Sequence, residues 1–491
     1  MNRIPRLSEA VYTCMCVEVG LPTEVQIRRE VDDIEEVLQK STSFFGLLDG
    51  MKSGSDREGF RFMSSDIDHM AWLLDHKLIC DLSQITLYRT PQHTVILMEW
   101  EDLPPGFTRL KLMTPSRNPA VKEACIIIDK ETYISSTRMR SAVKLCTDIN
   151  TGTKLLSSEP HGPCASFKFR GKEHDGALSF RSHHWPNVAL PWIQRCQLKQ
   201  WPPESVLSAI LKEGCHVVAI SSVPSHCEKE IEWRISFSGS ERKLVCSMNH
   251  CQFLCYGLLK IFLKEVINAE VNNPCLCSYF MKTIMFWVIQ SDSSRQLCPS
   301  ELLQFFWTCF KLLISCVCSG ECPNFFIPEN NMFRVKVTGQ TQVLLFNQLY
   351  DLYCKGISCL LLSPTIGTYF AHRLISRTLE LKICEPDAVA DACLFGQMRL
   401  GSVIWFRNEK TFVALHTVME LLLKTRITLF QAAAIERNLF RLIRNFSWFM
   451  LSQPQAISSN RERTLIYNRA TNLMKLASRM SCSSEILYLA L

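Results

Sequence analysis

Apolar and polar residues follow two different patterns along the chain, mixed in the first part and helical later. Thr23–Leu48 repeats apolar side chains at the period of an amphipathic helix, and a turn-rich stretch, Asp49–Ser55, follows it. Segments bounded by glycine and proline then have strand character. These predicted strands are Gly59–Met63, Asp66–Met70, Val95–Trp100, Phe107–Met113, Phe167–Arg170 and Ala177–Phe180.

The pattern changes after Trp201-Pro202-Pro203. Ser205–Lys212 has a helical period, Trp233–Phe237 alternates as a short strand, and almost everything from Cys246 onward is helical. This order predicts an α+β lobe joined to a helical lobe. The predicted boundaries are 1–22 for an N-terminal segment, 23–204 for the sheet lobe, 205–350 for the helical lobe and 351–491 for a helical C-terminal extension.

Composition and charge exclude several classes of protein. The 491 residues are 47% hydrophobic and 21% charged, which excludes disordered, collagenous and coiled-coil proteins. Lysine and arginine number 54 against 47 acidic residues, a net charge of +7. Residues 421–491 hold ten basic and three acidic side chains and so account for the whole surplus. Any anion-binding surface in the neutral remainder must therefore be a local patch.

Cysteine usage and hydropathy predict a cytoplasmic protein. The 24 cysteines lie in apolar stretches, which favours reduced, buried thiols over a disulfide framework. Arg3 and Arg6 are not followed by an apolar run, so no secretory signal is expected. The most hydrophobic stretch, Leu302–Cys318, is interrupted by Lys311 and is short for a bilayer span, so no membrane association is predicted.

Two closely spaced aspartates are the first candidates for chemistry. Asp66 and Asp68 are two residues apart, so on a strand both carboxylates project from one face. Such a pair suits two hard divalent cations that bridge substrate phosphates. Upstream, Gly54 and Ser55 offer amides and a hydroxyl that could cradle a phosphate. On these residues alone, a solvated turn remains the commoner alternative.

Later motifs make a family resemblance visible. Gly54-Ser55 followed by Asp66-Ile67-Asp68 resembles the signature of template-independent nucleotidyltransferases. It is most similar to the group of cyclic GMP–AMP synthase, its invertebrate, mollusc-like receptor relatives and the Mab developmental proteins. Glu232–Ser238, Cys277–Thr283 and Asn324–Pro328 resemble this family's nucleotide-binding strand, Ser-Tyr-x-x-Lys-Thr helix and Tyr-Phe-Ile-Pro turn. Together these motifs cover about residues 25–345.

The resemblance implies a fold and an activity. The fold is a two-lobed nucleotidyltransferase, with a mixed-sheet catalytic lobe, a long spine helix and a helical lobe that completes the nucleotide site. The activity is synthesis of a cyclic dinucleotide such as cyclic GMP–AMP from ATP and GTP, with two Mg²⁺ or Mn²⁺ ions, in innate immune signalling. The implied activator is double-stranded RNA, and ligand-induced dimerisation is an implied route to activation.

The resemblance also implies a third metal-binding carboxylate. Asp175, which lies ahead of Trp185-Pro186 as a similar acid does in the synthase, is the best match. Glu173 is the runner-up, and Glu99 and Glu101 match less well. The predicted catalytic and metal-binding residues are Asp66, Asp68 and Asp175.

The strand around Trp233 carries the predicted nucleotide contacts on one face. Alternation places Arg234, Ser236 and Ser238 opposite an apolar face, which fits either a pocket wall or an ordinary amphipathic edge strand. By resemblance, Gly54, Ser55, Lys260 and Ser278 bind the triphosphate, Arg234 steadies the nucleotide and Tyr279 stacks on a base. Without the family, Lys260 is a solvated lysine and Tyr279 a core residue.

The cysteine-rich runs do not favour a zinc site. Cys246, His250, Cys251 and Cys255 match the ligand types of the vertebrate synthase, but they lead into a helix on which they could not easily close a tetrahedron. Buried thiols are preferred there, and also for the second cysteine run, Cys316–Cys322.

Basic residues at helical spacing occur in the C-terminal extension. Arg437, Arg441 and Arg444 form either a solvated helix face, which is preferred, or a phosphate-binding surface. The alternative to an enzyme is a catalytically inactive Mab-type protein that binds a partner or a nucleotide.

Overall fold

A computed structural model describes most of the chain. The residues outside the description are 1–2, 43–47, 61, 63–66, 89–91, 142–162, 170–171, 223–229, 270, 272–273, 294–295, 376–407, 424–426, 453–459 and 481–491. The chain forms two compact units, Met1–Leu21 with Lys52–Lys382, and Pro22–Met51 with Ile383–Leu491. The domain boundaries predicted at residues 22, 204 and 350 stay a prediction.

Strands and helices alternate in the first half of the chain and helices dominate the second. The strands are β1 (Leu48–Ser53), β2 (Ile67–Leu73), β3 (His76–Ile79), β4 (Thr94–Glu99), β5 (Phe107–Leu112), β6 (Cys125–Ile128), β7 (Glu131–Ile134), β8 (Cys164–Phe169), β9 (Lys172–Ser182), β10 (Cys215–Val218) and β11 (Glu232–Ser236). The helices are α1 (Arg3–Val19), α2 (Pro22–Thr42), α3 (Gly54–Glu58), α4 (Pro119–Ala124), α5 (Leu190–Lys199), α6 (Glu204–Glu213), α7 (Ser238–Cys246), α8 (His250–Phe262), α9 (Ser278–Ser291), α10 (Leu302–Ser319), α11 (Gly339–Cys354), α12 (Pro364–Ile375), α13 (Asn408–Leu422), α14 (Leu429–Ser452) and α15 (Asn460–Met480).

One mixed sheet organises the first unit. Its strand order is β2-β9-β10-β11-β5-β4-β3; β8 pairs with β9, β7 with β5 and β6 with β7. β2 is parallel to β9 and β3 is parallel to β4, whereas β10 runs antiparallel to both of its neighbours. This sheet with its helical second half confirms the predicted α+β, nucleotidyltransferase-like fold.

Two sequence predictions near the first aspartates are wrong. Asp49–Ser55 is not a turn-rich stretch, because β1 occupies Leu48–Ser53 and α3 begins immediately after it. Gly59–Met63 is not a strand in its described residues. Instead, Phe60 is fully buried and its ring stacks on that of Phe253 with 4.2 Å between centroids, so core packing explains the apolar residues of this segment.

The helical lobe of the first unit is built around α8 and α10. α1, which the sequence did not predict, buries Val11, Cys14, Met15 and Val19 and packs against both helices. α10 belongs to a helical stretch, Pro299–Ser319, that is long and apolar enough to cross a membrane by length and composition. Half of that stretch is buried inside the protein, where α10 packs on α1, α8, α9 and α11, as a core helix does.

The second unit has its own helical core. α2 confirms the predicted N-terminal helix as far as Thr42, and it packs against α13 and α14. Its core residues are Ile27, Val31, Ile34, Leu38, Ala414, Val418, Leu421, Ala434, Ile435 and Leu442. On α14, the Nε and Nη2 atoms of Arg437 are buried, so the preferred interpretation of a solvated basic face is wrong for this residue.

Candidate active site

Asp68 and Asp175 lie side by side on adjacent parallel strands. Asp68 on β2 is the register partner of Asp175 on β9. Partners in a parallel pair project from the same face of a sheet, so the two carboxylates face the same side. The remaining predicted ligand, Asp66, lies outside the described residues. The structure thus brings two of the three predicted acids together.

The opposite face of these two strands carries a pair of histidines. Nε2 of His69 lies 3.2 Å from Nδ1 of His174, and the two rings are stacked. Burial and the neighbouring His174 lower the pKa of His69 to about 4, so this imidazole is neutral at pH 7. The alternation of acids and imidazoles confirms a strand around Asp68.

The first turn of α3, at Gly54 and Ser55 (the Gly-Ser turn), lies directly against one of the acids. Gly54 begins α3 with a φ of +72°, a conformation that favours glycine. A Cβ atom at this position would lie 1.7 Å from Oδ2 of Asp68, so no side chain fits between the turn and the carboxylate. The turn and the acids therefore form one site.

Lys260 reaches the same turn from α8. Its ammonium donates a hydrogen bond to the hydroxyl of Ser55, and it lies 4.7 Å from the ring centroid of Phe60 and 5.2 Å from that of Tyr256. Burial lowers the pKa of Lys260 to about 8, although Glu58 acts in the opposite direction. The interpretation of Lys260 as a solvated helix lysine is therefore wrong.

Arg234 and Ser236 share the face of the acids. The register runs from Ser179 on β9 through Val218 on β10 to Arg234 on β11, and Ser179 lies on the same face of β9 as Asp175. The predicted alternation is thus confirmed for Arg234 and Ser236.

Ser238 differs from its prediction. β11 ends at Ser236, and Ser238 is the first residue of α7 rather than a strand residue. It still lies beside Ser236, with 2.8 Å between their hydroxyl oxygens.

Tyr279 is fixed by the turn that resembles the Tyr-Phe-Ile-Pro motif. The side-chain amide of Asn324 donates to its hydroxyl at 3.0 Å, and Phe326 of the same turn stacks on Phe237 at 4.4 Å. Burial, followed by the nearby Glu241, raises the pKa of Tyr279. Tyr279 is only partly buried, and Ser278 is exposed at the first position of α9.

The other candidate acids have different surroundings. Glu173 is exposed on β9, two residues before Asp175. Glu99 on β4 accepts a hydrogen bond from the hydroxyl of Tyr133 at 2.9 Å and lies 3.8 Å from the ammonium of Lys111. Glu101 is exposed in the turn after β4. Of these acids, only Glu173 lies on the same strand as Asp175. The register of Glu99 with Arg109, and of Arg109 with Glu232, places Glu99 further along the sheet on the face of Arg234.

Sequence reasoning missed two residues on β8. Ser166 is the register partner of Asp175, and Cys164 is the partner of Ala177, two residues further along the same face. Burial, then the charges of Asp175 and Asp68, raise the pKa of Cys164 to about 12. Pairing the two predicted strands Phe167–Arg170 and Ala177–Phe180 as a hairpin would have brought this segment next to Asp175.

The cysteine runs are free thiols. Cys251 and Cys255 are buried on α8, whereas Cys246 is exposed at the end of α7. Cys316 and Cys322 are buried and free. Among the residues that the structure describes, no three His, Cys, Asp or Glu side chains gather into a metal-binding group.

Two family models match consecutive parts of the chain. Residues 167–247 match the Mab-21 protein nucleotidyltransferase domain, and residues 251–350 match the Mab-21 protein HhH/H2TH-like domain. The first match includes Asp175 and Arg234. Gly54 and Asp68 precede it, so their place in the site rests on the register of Asp68 with Asp175 and on the close approach of Gly54 to Asp68.

Two curated relatives agree with these matches. A "Cyclic GMP-AMP synthase-like receptor" of Magallana gigas is 29% identical over 196 residues, 37% of this chain and 32% of the relative. A "Cyclic GMP-AMP synthase" of Mus musculus is 22% identical over 213 residues, 40% of this chain and 41% of the relative. The alignments thus span about a third to two fifths of the length of these relatives. The two Mab-21 domain matches, in order over residues 167–350, and the matching fold therefore support a member of the Mab-21 and cyclic GMP–AMP synthase-like nucleotidyltransferase family.

Proposed function

We propose that the protein is a metal-dependent enzyme that joins ATP and GTP into a cyclic dinucleotide such as cyclic GMP–AMP. The observation that carries this proposal is the register of Asp68 with Asp175, together with the close approach of Gly54 to Asp68. These features support a site in which carboxylates lie beside backbone amides that could bind a phosphate.

The residues present fit a pair of hard divalent cations. Two carboxylates from adjacent strands supply oxygen ligands on one rigid face, and Gly54 leaves no side chain between them and the turn. Asp66, Asp68 and Asp175 would hold Mg²⁺ or Mn²⁺. When bound, such ions activate an attacking ribose hydroxyl and neutralise the leaving phosphates.

The triphosphate would be held by groups that already meet at the turn. The Lys260 ammonium and the Ser55 hydroxyl contact each other, so a phosphate oxygen could accept from both. The backbone amides of Gly54 and Ser55 add donors, and Ser278 offers a further hydroxyl at the start of α9.

The bases would be bound on the neighbouring surface. Tyr279 is a half-buried residue whose hydroxyl accepts a hydrogen bond from Asn324, and its ring would stack on a base. Arg234 would steady the nucleotide, with the paired hydroxyls of Ser236 and Ser238 beside it.

We further propose that the enzyme is a cytoplasmic innate-immune receptor activated by double-stranded RNA, with ligand-induced dimerisation as one route. The name of the Magallana gigas relative, a cyclic GMP–AMP synthase-like receptor, supports a receptor role. The free thiols of the described cysteines support a reducing compartment.

The test is incubation of the purified protein with labelled ATP and GTP, Mg²⁺ or Mn²⁺, and a panel of RNA and DNA duplexes. Cyclic product that requires metal and is abolished by Asp68→Asn and by Asp175→Asn supports the proposal. Calorimetry with a non-hydrolysable triphosphate is the second measurement. An inactive Mab-type protein would give no cyclic product with any duplex, and triphosphate binding that does not depend on metal, or no binding at all, would indicate a decayed metal site.

A further inference from the structure

A buried ionic triad lies behind the proposed nucleotide site. The ammonium of Lys282 is 2.6 Å from Oε1 of Glu58 and 3.2 Å from Oε2 of Glu241. The side chains of Glu58, Glu241 and Lys282 are 3%, 9% and 12% exposed. None of the roles proposed above uses these three residues.

Each member of the triad lies one helical turn after a serine of the proposed nucleotide set. The pairs are Ser55 with Glu58, Ser238 with Glu241, and Ser278 with Lys282. Residues three or four apart share one face of a helix. The triad therefore joins the first turns of α3, α7 and α9, which are far apart in sequence.

The electrostatics of the triad favour a positioning role over a purely stabilising one. Burial by itself lowers the pKa of Lys282, but the charges of Glu58 and Glu241 raise it well above its usual range, so the ammonium stays charged. Burying three ions is costly, and apolar side chains of similar volume often stabilise a fold as well or better. A charged group at this point instead fixes the relative position of three helix starts.

We propose that Glu58, Lys282 and Glu241 are positioning residues that hold the three serine-bearing helix starts at fixed spacing before a nucleotide arrives. The inference rests on the proposed function for what these serines bind. The mechanical part, that Lys282 holds the Gly-Ser turn in place, is independent of any ligand.

Hydrogen exchange of the unliganded full chain tests the mechanical part. The amides of Gly59 and Phe60 donate to Asp56 and Ser55 within the turn, at 3.1 and 3.0 Å. In Lys282→Met, exchange in peptides covering 54–60 should accelerate tenfold or more, because the ion pair of Glu58 with Lys282 is lost. Lys282→Arg keeps the charge and should restore slow exchange.

A matched control removes a neighbouring ion pair outside the triad. Lys243 on α7 pairs with Glu213 of α6, so Lys243→Met should leave exchange in 54–60 unchanged. Peptides from β4 and β5 serve as the folding control. If β4 and β5 also lose protection in Lys282→Met, the neutral triple variant Glu58→Gln/Glu241→Gln/Lys282→Met replaces it. Unchanged exchange in 54–60 in the folded variant would overturn the inference.

Triphosphate binding then tests the link to function. With a non-hydrolysable ATP analogue and Mg²⁺, Lys282→Met and the neutral triple variant should each bind at least tenfold more weakly, and Lys243→Met within twofold of the parent. Equal affinity of Lys282→Met and parent would overturn the positioning role. If the parent binds no triphosphate, the proposed function fails, while the exchange experiment still decides whether the triad holds the turn.

Discussion

The charge of Lys260 is the feature whose removal should separate stability from function most clearly. Burial lowers its pKa from 10.5 to about 8, so protonating it in the folded protein costs about 3 kcal/mol relative to water. Its contacts with the Phe60 and Tyr256 rings stabilise the folded protein by about 1 kcal/mol each, and its hydrogen bond to Ser55 contributes about 1 kcal/mol more. Lys260→Met should therefore change the free energy of unfolding at pH 7 by no more than about 1 kcal/mol, while triphosphate binding is lost.

The pH dependence gives a sharper test of the same reasoning. Between pH 8 and 10.5 the unfolded chain binds a proton at Lys260 that the folded chain does not, so stability rises with pH. From pH 7 to pH 10 the parent should gain about 2.5 kcal/mol relative to Lys260→Met.

Urea denaturation followed by tryptophan fluorescence at both pH values measures this difference. Lys199→Met, at an exposed position, is the control and should show no such change relative to the parent. A parent-to-Lys260→Met difference that is the same at pH 7 and pH 10 would refute the assignment of a buried, pKa-lowered ammonium.

Three further predictions follow from the site. Gly54→Ala should abolish metal-dependent triphosphate binding, because the added Cβ would collide with Asp68. The control Gly339→Ala is also at positive φ but has no atom within 4 Å of the added Cβ, so it should lower the free energy of unfolding by only about 1 kcal/mol and leave binding intact. Tyr279→Phe should keep triphosphate affinity but lower the free energy of unfolding by about 1 kcal/mol, because the hydrogen bond from Asn324 is lost. Tyr279→Ala should weaken triphosphate binding at least tenfold, as measured by calorimetry. Chelation by EDTA should remove triphosphate binding, and added Mn²⁺ should restore it; binding that persists in EDTA would contradict a metal site.

Local periodicity was sufficient to predict much of the fold and part of the site. Alternation around Trp233 gave the face of Arg234 and Ser236 correctly, because side-chain direction along a strand has a period of two. The same period of two correctly predicted the strand that contains Asp68. It failed at Asp49–Ser55, where glycine and serine suggested a turn although tertiary pairing makes most of that stretch a strand.

Contacts between residues far apart in sequence were decided by the tertiary structure alone. The Lys260 ammonium and the Ser55 hydroxyl meet across 205 positions of sequence, and no local pattern encodes that distance. The same holds for the pairing of Lys282 with Glu58. Lone glutamates and lysines on helices usually face solvent, so only packing shows that these are buried and paired.

Sequence motifs were sufficient to propose the residue types of the site. Local alternation was sufficient to predict the strand face of Arg234 and Ser236, because side-chain direction along a strand has a period of two. The register of Asp68 with Asp175 and the approach of Gly54 to Asp68 came from contacts in the folded protein. The physical reason is that strand pairing depends on hydrogen bonds and core packing between distant segments, which set the register for every side chain at once.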